Sequence, residues 1–184
     1  LIHATQSTLR VDMLPEQRKH YQTMAEEFYA YLDGPEANVT AMMVVTKLMK
    51  LQQITSGFLI DEFGEPHGIV PPDRIPKMRR LIELIEQEID DGKIVVPYFY
   101  KPSGRALEAA LAKYKPAVIH SQQTMRDRGL DVVSEKARFN NDPACRVAVV
   151  QIGAGKYGHD LSGTPGNRTS FMAFYEGTYS LDDR

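Results

Sequence analysis

The sequence has one cysteine, Cys145, and no tryptophan in 184 residues. A lone thiol leaves neither a disulfide framework nor a cysteine-rich metal centre. No apolar run approaches the roughly 18 residues that a membrane-spanning helix needs. No leader of signal-peptide form precedes the first helical pattern. The expectation is an intracellular protein, not a membrane one. His20, His67, His120 and His159 stand far apart, with no HExxH or comparable ligand spacing, so they read as surface or strand-end residues. The serine nucleophile pattern GxSxG is missing, and so are internal repeats and low-complexity tracts. The sequence begins at Leu1 rather than methionine, which suggests a piece of something longer.

What is present suits one domain with an extension: 42% hydrophobic and 25% charged residues can bury a core and stay soluble. The net charge of −2 is unevenly spread: residues 1–92 carry 9 Lys/Arg against 15 Asp/Glu, and residues 93–184 carry 13 against 9. The bias is strongest where Lys93, Lys101, Arg105, Lys113, Lys115, Arg126 and Arg128 face only Glu108 and Asp127. That stretch is either a solvated surface or a face that follows phosphates.

Local patterns divide the chain. Pro15 and Glu16 open a helix whose apolar residues Tyr21, Met24, Phe28, Tyr31 and Leu32 fall at helical spacing, and Asp33-Gly34-Pro35 stops it. A second helix is expected from about Val39 to Ile54, apolar enough to be well buried. GFLIDEFGEPHGIV (Gly57–Val70) reads as a small hairpin, and Lys77–Ile89 as a strongly amphipathic helix. Thereafter strands and helices alternate: KIVVPYF, GRALEAALAKY, PAVIH, a helix from about Gly129 to Asn140, CRVAVVQI and SFMAFYE. Apolar strands alternating with helices predict an α/β fold with a parallel sheet covered on both faces. Ligands bind such sheets at the carboxyl ends of strands, where VVQIGAGKYGHDLSGTPGN (Val149–Asn167) lies.

That glycine-rich segment imitates a phosphate loop. A Walker A loop needs GxxxxGK[ST]. Here Val150 occupies the first glycine position and Tyr157 follows Lys156. Gly153, Gly155 and Gly158 fit GxGxxG, which leaves a Rossmann-like dinucleotide-binding domain as an alternative. FLIDEF imitates a Walker B acid pair at Asp61-Glu62, but the run is short and no P-loop precedes it. Cys145 reads as inert packing.

The order of the pieces resembles the carboxy-terminal RecA-like lobe of Swi/Snf-type ATP-dependent DNA translocases, in helicase superfamily two. LPEQRKHY (Leu14–Tyr21) is similar to that family's leading helix, and LMKLQQITSGFL (Leu48–Leu59) to its L-x-x-L-Q-Q-I-x-S-G helix end. KMRRLIELIE (Lys77–Glu86) resembles the helix ahead of the lobe, and KIVVPYFYKPSGRALEAAL (Lys93–Leu111) stands where motif IV belongs. ARFNNDPACRVAVVQIGAGKYGHDLSG (Ala137–Gly163) is the most specific piece and resembles motif V. SFMAFYEGTYSLDDR (Ser170–Arg184) looks like the following strand and its exit. Pro97 within motif IV, Ser121 in place of glycine and Gln151 in place of serine or threonine depart from the pattern.

The resemblance implies a RecA-like, P-loop NTPase-like parallel sheet flanked by helices over 76–184, with a helical amino-terminal extension and small hairpin over 1–75. It implies that Ala154, Gly155 and Gly158 form the motif V turn against a DNA backbone. Lys156 stands where the family has a small residue and reads either as a phosphate contact or as a surface lysine, and Lys101, from the basic stretch, is expected as a further nucleic-acid contact. Gly158 and Asp160 would face the nucleotide between lobes. ATP and magnesium would belong to the full-length parent, whose first lobe and motif VI are expected outside this sequence. The fragment itself is expected to hold no cofactor and hydrolyse nothing. The implied partners are DNA and the amino-terminal RecA-like lobe of the same polypeptide, in the cytoplasm of a bacterial or phage-infected cell. An RNA helicase or restriction-enzyme motor lobe is the alternative within the superfamily.

Overall fold

The computed structural model describes residues 5–32, 41–89, 92–155 and 159–177. Strand β3 (Lys93–Tyr98) is central in a sheet whose other strands are β4 (Ala117–Ile119), β5 (Val147–Gln151), β6 (Gly163–Thr164) and β7 (Asn167–Met172). Their order is β4-β5-β3-β7-β6, parallel except for the β6–β7 pair. Alternate residues of β3 point to opposite faces, and both faces are covered. Ile94, Val96 and Tyr98 pack with Val147 and Val149 under α3 (Pro76–Glu83) and α4 (Lys101–Ala110). Val95, Ala148 and Val150 pack with Phe139 of α6 (Val132–Asn141). This is the expected α/β, RecA-like arrangement.

Ahead of the sheet lie α1 (Pro15–Leu32), α2 (Ala41–Thr55) and the hairpin of β1 (Phe58–Ile60) and β2 (Pro66–Gly68). Gln17 of α1 is buried and donates to the Ile54 and Thr55 carbonyls, 2.9 and 3.1 Å away, at the end of α2. The Ile54 carbonyl also accepts Gly57 N–H at 3.0 Å, and Gln17 acts as a cap from another helix on the carbonyls of the last turn. Gln52 receives the Tyr100 hydroxyl at 3.0 Å and donates to the Gly177 carbonyl at 3.1 Å, which ties α2 to the sheet.

Three local expectations need correction. The first half of α2 is not well buried: Met42, Met43 and Val45 are exposed, and burial begins at Gln53 and Ile54 where the hairpin and sheet cover the helix. The helix expected from about Gly129 to Asn140 is α6, starting at Val132, and a further short helix that the sequence did not announce, α5 (Gln122–Asp127), precedes it; a positive φ of 64° at Gly129 separates the two. Ser121 and Asp131 cap them through Thr124 N–H and Ser134 N–H. The amphipathic helix over 77–89 ends in a widened turn, Leu84–Glu88, with Ile89 N–H bonded to the Leu84 carbonyl at 3.1 Å. No described helix is long and apolar enough to cross a membrane.

Candidate nucleic-acid interface at the strand ends

The carboxyl ends of β3, β4 and β5 open into a crevice lined by Tyr98, Lys101, Arg105, Glu108, His120, Thr124, Arg128 and Gln151. The fold brings these residues together because Tyr98, His120 and Gln151 stand at or just past strand ends, Lys101, Arg105 and Glu108 lie along α4, and Thr124 and Arg128 lie on and just after α5 (Gln122–Asp127). Lys101 and Arg105 lie on one face of α4, four residues apart, and both are exposed. Helix α4 crosses Tyr98 at Gly104, where a Cβ would meet the phenol ring at 2.6 Å. Glycine is therefore required for this close approach, and the approach fixes Tyr98 beneath the helix.

Tyr98 begins a buried polar network. Its hydroxyl bonds His120 Nδ1. His120 Nε2 lies 2.8 Å from Glu108 Oε1. Arg128 grips the same carboxylate with both terminal nitrogens, at 2.9 and 2.8 Å, and its Nη1 is 2.8 Å from His120 Nε2. Burial raises the Glu108 pKa, but hydrogen bonds from His120 and Arg128 outweigh it and hold the carboxyl down at about 2. Burial also pushes the Tyr98 hydroxyl well above the usual phenol value, with the Glu108 charge adding to it. Across the strand ends, Ser121 N–H donates to Gln151 Oε1 at 3.0 Å. The Gln151 departure thus links the end of β5 to the backbone just past β4.

The third departure, Pro97, costs little: it sits next to the end of β3, and its carbonyl still accepts Tyr175 N–H at 2.9 Å. The start of α4 is held by Glu176, a buried carboxylate from the segment after β7. It accepts Phe99 N–H and Tyr100 N–H, both at 3.0 Å, and the Ser103 hydroxyl. A negative group here satisfies orphan donors and suits the helix dipole.

The remaining expected site residues are scattered. Ile152–Gly155 form one helical turn, α7, after β5. Within it Ala154 is buried among Val95, Phe139 and Ala148, and Gly153 is exposed. Lys156 and Gly158 lie outside the described residues. Asp160 is exposed; its carboxylate accepts Ser162 Oγ and N–H at 2.7 and 3.1 Å, which lowers its pKa. Its carbonyl accepts Asn140 Nδ2 at 3.0 Å, docking the loop on α6.

Two lysines leave the supposed basic face. Lys93 is fully buried, and its ammonium donates to the carbonyls of Phe139, Asp142 and Cys145. The reason is local: Pro143 has no N–H to offer Phe139 at the end of α6, and Lys93 replaces it. Lys113 bonds Glu86 of the widened turn and does not line the crevice. Cys145 is buried, and burial pushes its thiol pKa up, as expected of packing. The first acid of FLIDEF serves the hairpin turn: Asp61 accepts Phe63 and Glu65 N–H at 2.9 and 2.8 Å and pairs with His67 at 2.7 Å. Among the described residues no group of histidines, cysteines or acids could hold a metal ion.

Sequence spacing alone did not mark Tyr98, Glu108 or Arg128 as a unit. The only signal was Glu108 standing as one of two acids in a basic stretch.

No protein-family model matches the sequence, and no curated protein matches it. Solved structures do match. The carboxy-terminal domain of the Sulfolobus solfataricus SWI2/SNF2 ATPase superposes with a TM-score of 0.61 at 20% identity, over 88% of this chain and 74% of that one. The core domain of that ATPase gives 0.64 at 18% identity, over 89% and 38%. Its core in complex with dsDNA gives 0.57 at 19% identity, over 89% and 39%. The chain thus spans about two fifths of those cores. It has the fold of the carboxy-terminal RecA-like lobe of a SWI2/SNF2-type ATPase.

Proposed function

We propose that this chain is the second lobe of an ATP-driven translocase on double-stranded DNA, and that its strand-end crevice grips the phosphate backbone. The observation that carries the reading is the pair Lys101 and Arg105, two exposed cations one helical turn apart at the rim of that crevice. Their spacing of about 6 Å between successive Cβ positions suits adjacent phosphates of one strand. A solved complex of a SWI2/SNF2 core with dsDNA lends the substrate class. Asp160 would face the partner lobe.

ATP and magnesium would belong to the full-length parent, held between this lobe and its partner. The described residues offer no phosphate loop and no acid cluster for a metal, and Asp160 already bonds Ser162. This chain's own work is to bind and orient DNA, not to hydrolyse nucleotide. Gly153 and Gly155 lie in a helical turn, and among the described residues no long helix follows it, which argues against dinucleotide binding.

The test is a duplex-DNA titration read by fluorescence anisotropy at several salt concentrations. Binding should be weak and fall steeply with salt, and K101E/R105E should abolish it. Salt-independent binding, or binding untouched by that double change, would remove the reading.

A further inference from the structure

Glu108 is an acid in the middle of the basic crevice. Its carboxylate takes both terminal nitrogens of Arg128, at 2.8 and 2.9 Å, and also faces His120 at 2.8 Å. Glu108 is anchored: its side chain is 19% exposed, while that of Arg128 is 43% exposed. Arg128 follows α5 and reaches across to α4, so the contact joins two elements through their side chains. Among the described residues, Lys101 and Arg105, on the same crevice wall, have no such acid against them.

We propose that Glu108 is a latch on Arg128, a positioning residue that withholds one cation from the phosphate backbone and so keeps the grip weak. The inference rests on the function proposed above. In the latched state Arg128 and Glu108 cancel, and Lys101 and Arg105 alone meet the backbone. A phosphate can recruit Arg128 only by replacing a bidentate carboxylate that is already desolvated and bonded to His120. A lobe that must release and regain DNA benefits from this ceiling on affinity. Simple crowding of positive charge at the crevice would require no acid there. Glutamate at 108 has enough reach to hold Arg128 at two points.

Four proteins test the latch by duplex-DNA titration against salt: wild type, E108Q, E108Q/R128Q and E108D. Glutamine keeps the shape and a hydrogen bond to His120 but releases the guanidinium. E108Q should bind several-fold more tightly, and the slope of log K against log salt should steepen by about 0.9, the value for one added phosphate contact. E108Q/R128Q should return affinity and slope to those of wild type. E108D, which keeps the charge, should retain weak binding. Weaker binding by a folded E108Q would mean that the pair presents Arg128 to phosphate, and the latch would be wrong. A double variant that binds less tightly than wild type would overturn it equally. A second measurement needs no DNA: phenylglyoxal labelling, read by peptide mass spectrometry. Arg128 should label slowly in wild type and quickly in E108Q, with Arg105 unchanged. Equal labelling of Arg128 and Arg105 in wild type overturns the latch. Slow labelling of Arg128 without any DNA binding leaves the latch standing and removes only the proposed function.

Discussion

Replacing Lys93 with methionine isolates one buried ammonium. The stem is kept, and the three carbonyls of Phe139, Asp142 and Cys145 lose a charged donor. Asp142 keeps Cys145 N–H at 3.1 Å, so two carbonyls are left without that donor. An orphaned buried carbonyl costs about 1–3 kcal/mol. Methionine also removes the penalty of burying a charge, which offsets part of the loss. The net expectation is about 2–5 kcal/mol, a large share of the roughly 5–15 kcal/mol that holds a domain together. For a chain of this size each kcal/mol moves the melting midpoint by about 2–4 °C, so the midpoint should fall by about 4–20 °C. Circular dichroism melts of wild type, Lys93→Met and Lys101→Met measure it. Lys101 is exposed, and its variant should melt with wild type. A Lys93→Met protein that melts like wild type but has lost DNA affinity would refute this assignment and return Lys93 to the surface.

Other expectations follow from the same bonds. Glu176→Ala should destabilise the fold by about 2–4 kcal/mol, since it strands the Phe99 and Tyr100 N–H groups at the start of α4; urea unfolding measures this, and a change under about 0.5 kcal/mol contradicts it. Gln17→Ala uncaps α2 and should cost about 1–3 kcal/mol, whereas the exposed neighbour Arg18→Ala should cost almost nothing. The Glu108 carboxyl is depressed from 4.5 to about 2, so its contribution is present above pH 4.5 and is lost as pH falls toward 2. Solvent at Arg128 limits that contribution to about 1–3 kcal/mol, and E108Q should flatten this part of the stability–pH curve. An unchanged curve would mean that the carboxylate is not held as described.

The sheet was legible because its strands are short apolar runs between helices. Ile94, Val95, Val96, Val147 and Val149 are buried on both faces, as continuous apolar strands require. The hairpin was legible from Gly57, Gly64 and the alternation between them. Helix α2 was misjudged because apolar density does not say which turns a neighbour covers. The candidate site was half legible. Lys101 was expected as a nucleic-acid contact, and Arg105 and Arg128 were named within the basic stretch. Lys93 belonged to the same stretch and proved buried, because a charge count cannot tell a strand's first residue from a helix's. The network of Tyr98, His120, Glu108 and Arg128 spans four elements, and only the folded chain brings them together.

The central claim is that duplex DNA binds at the strand-end crevice. Hydrogen–deuterium exchange of the whole chain, with and without duplex DNA, tests it most directly. Protection should appear over 98–109, 120–128 and the end of β5, with the hairpin of β1 and β2 unchanged. Protection confined to α1, α2 or that hairpin, or none at saturating DNA, would contradict the account.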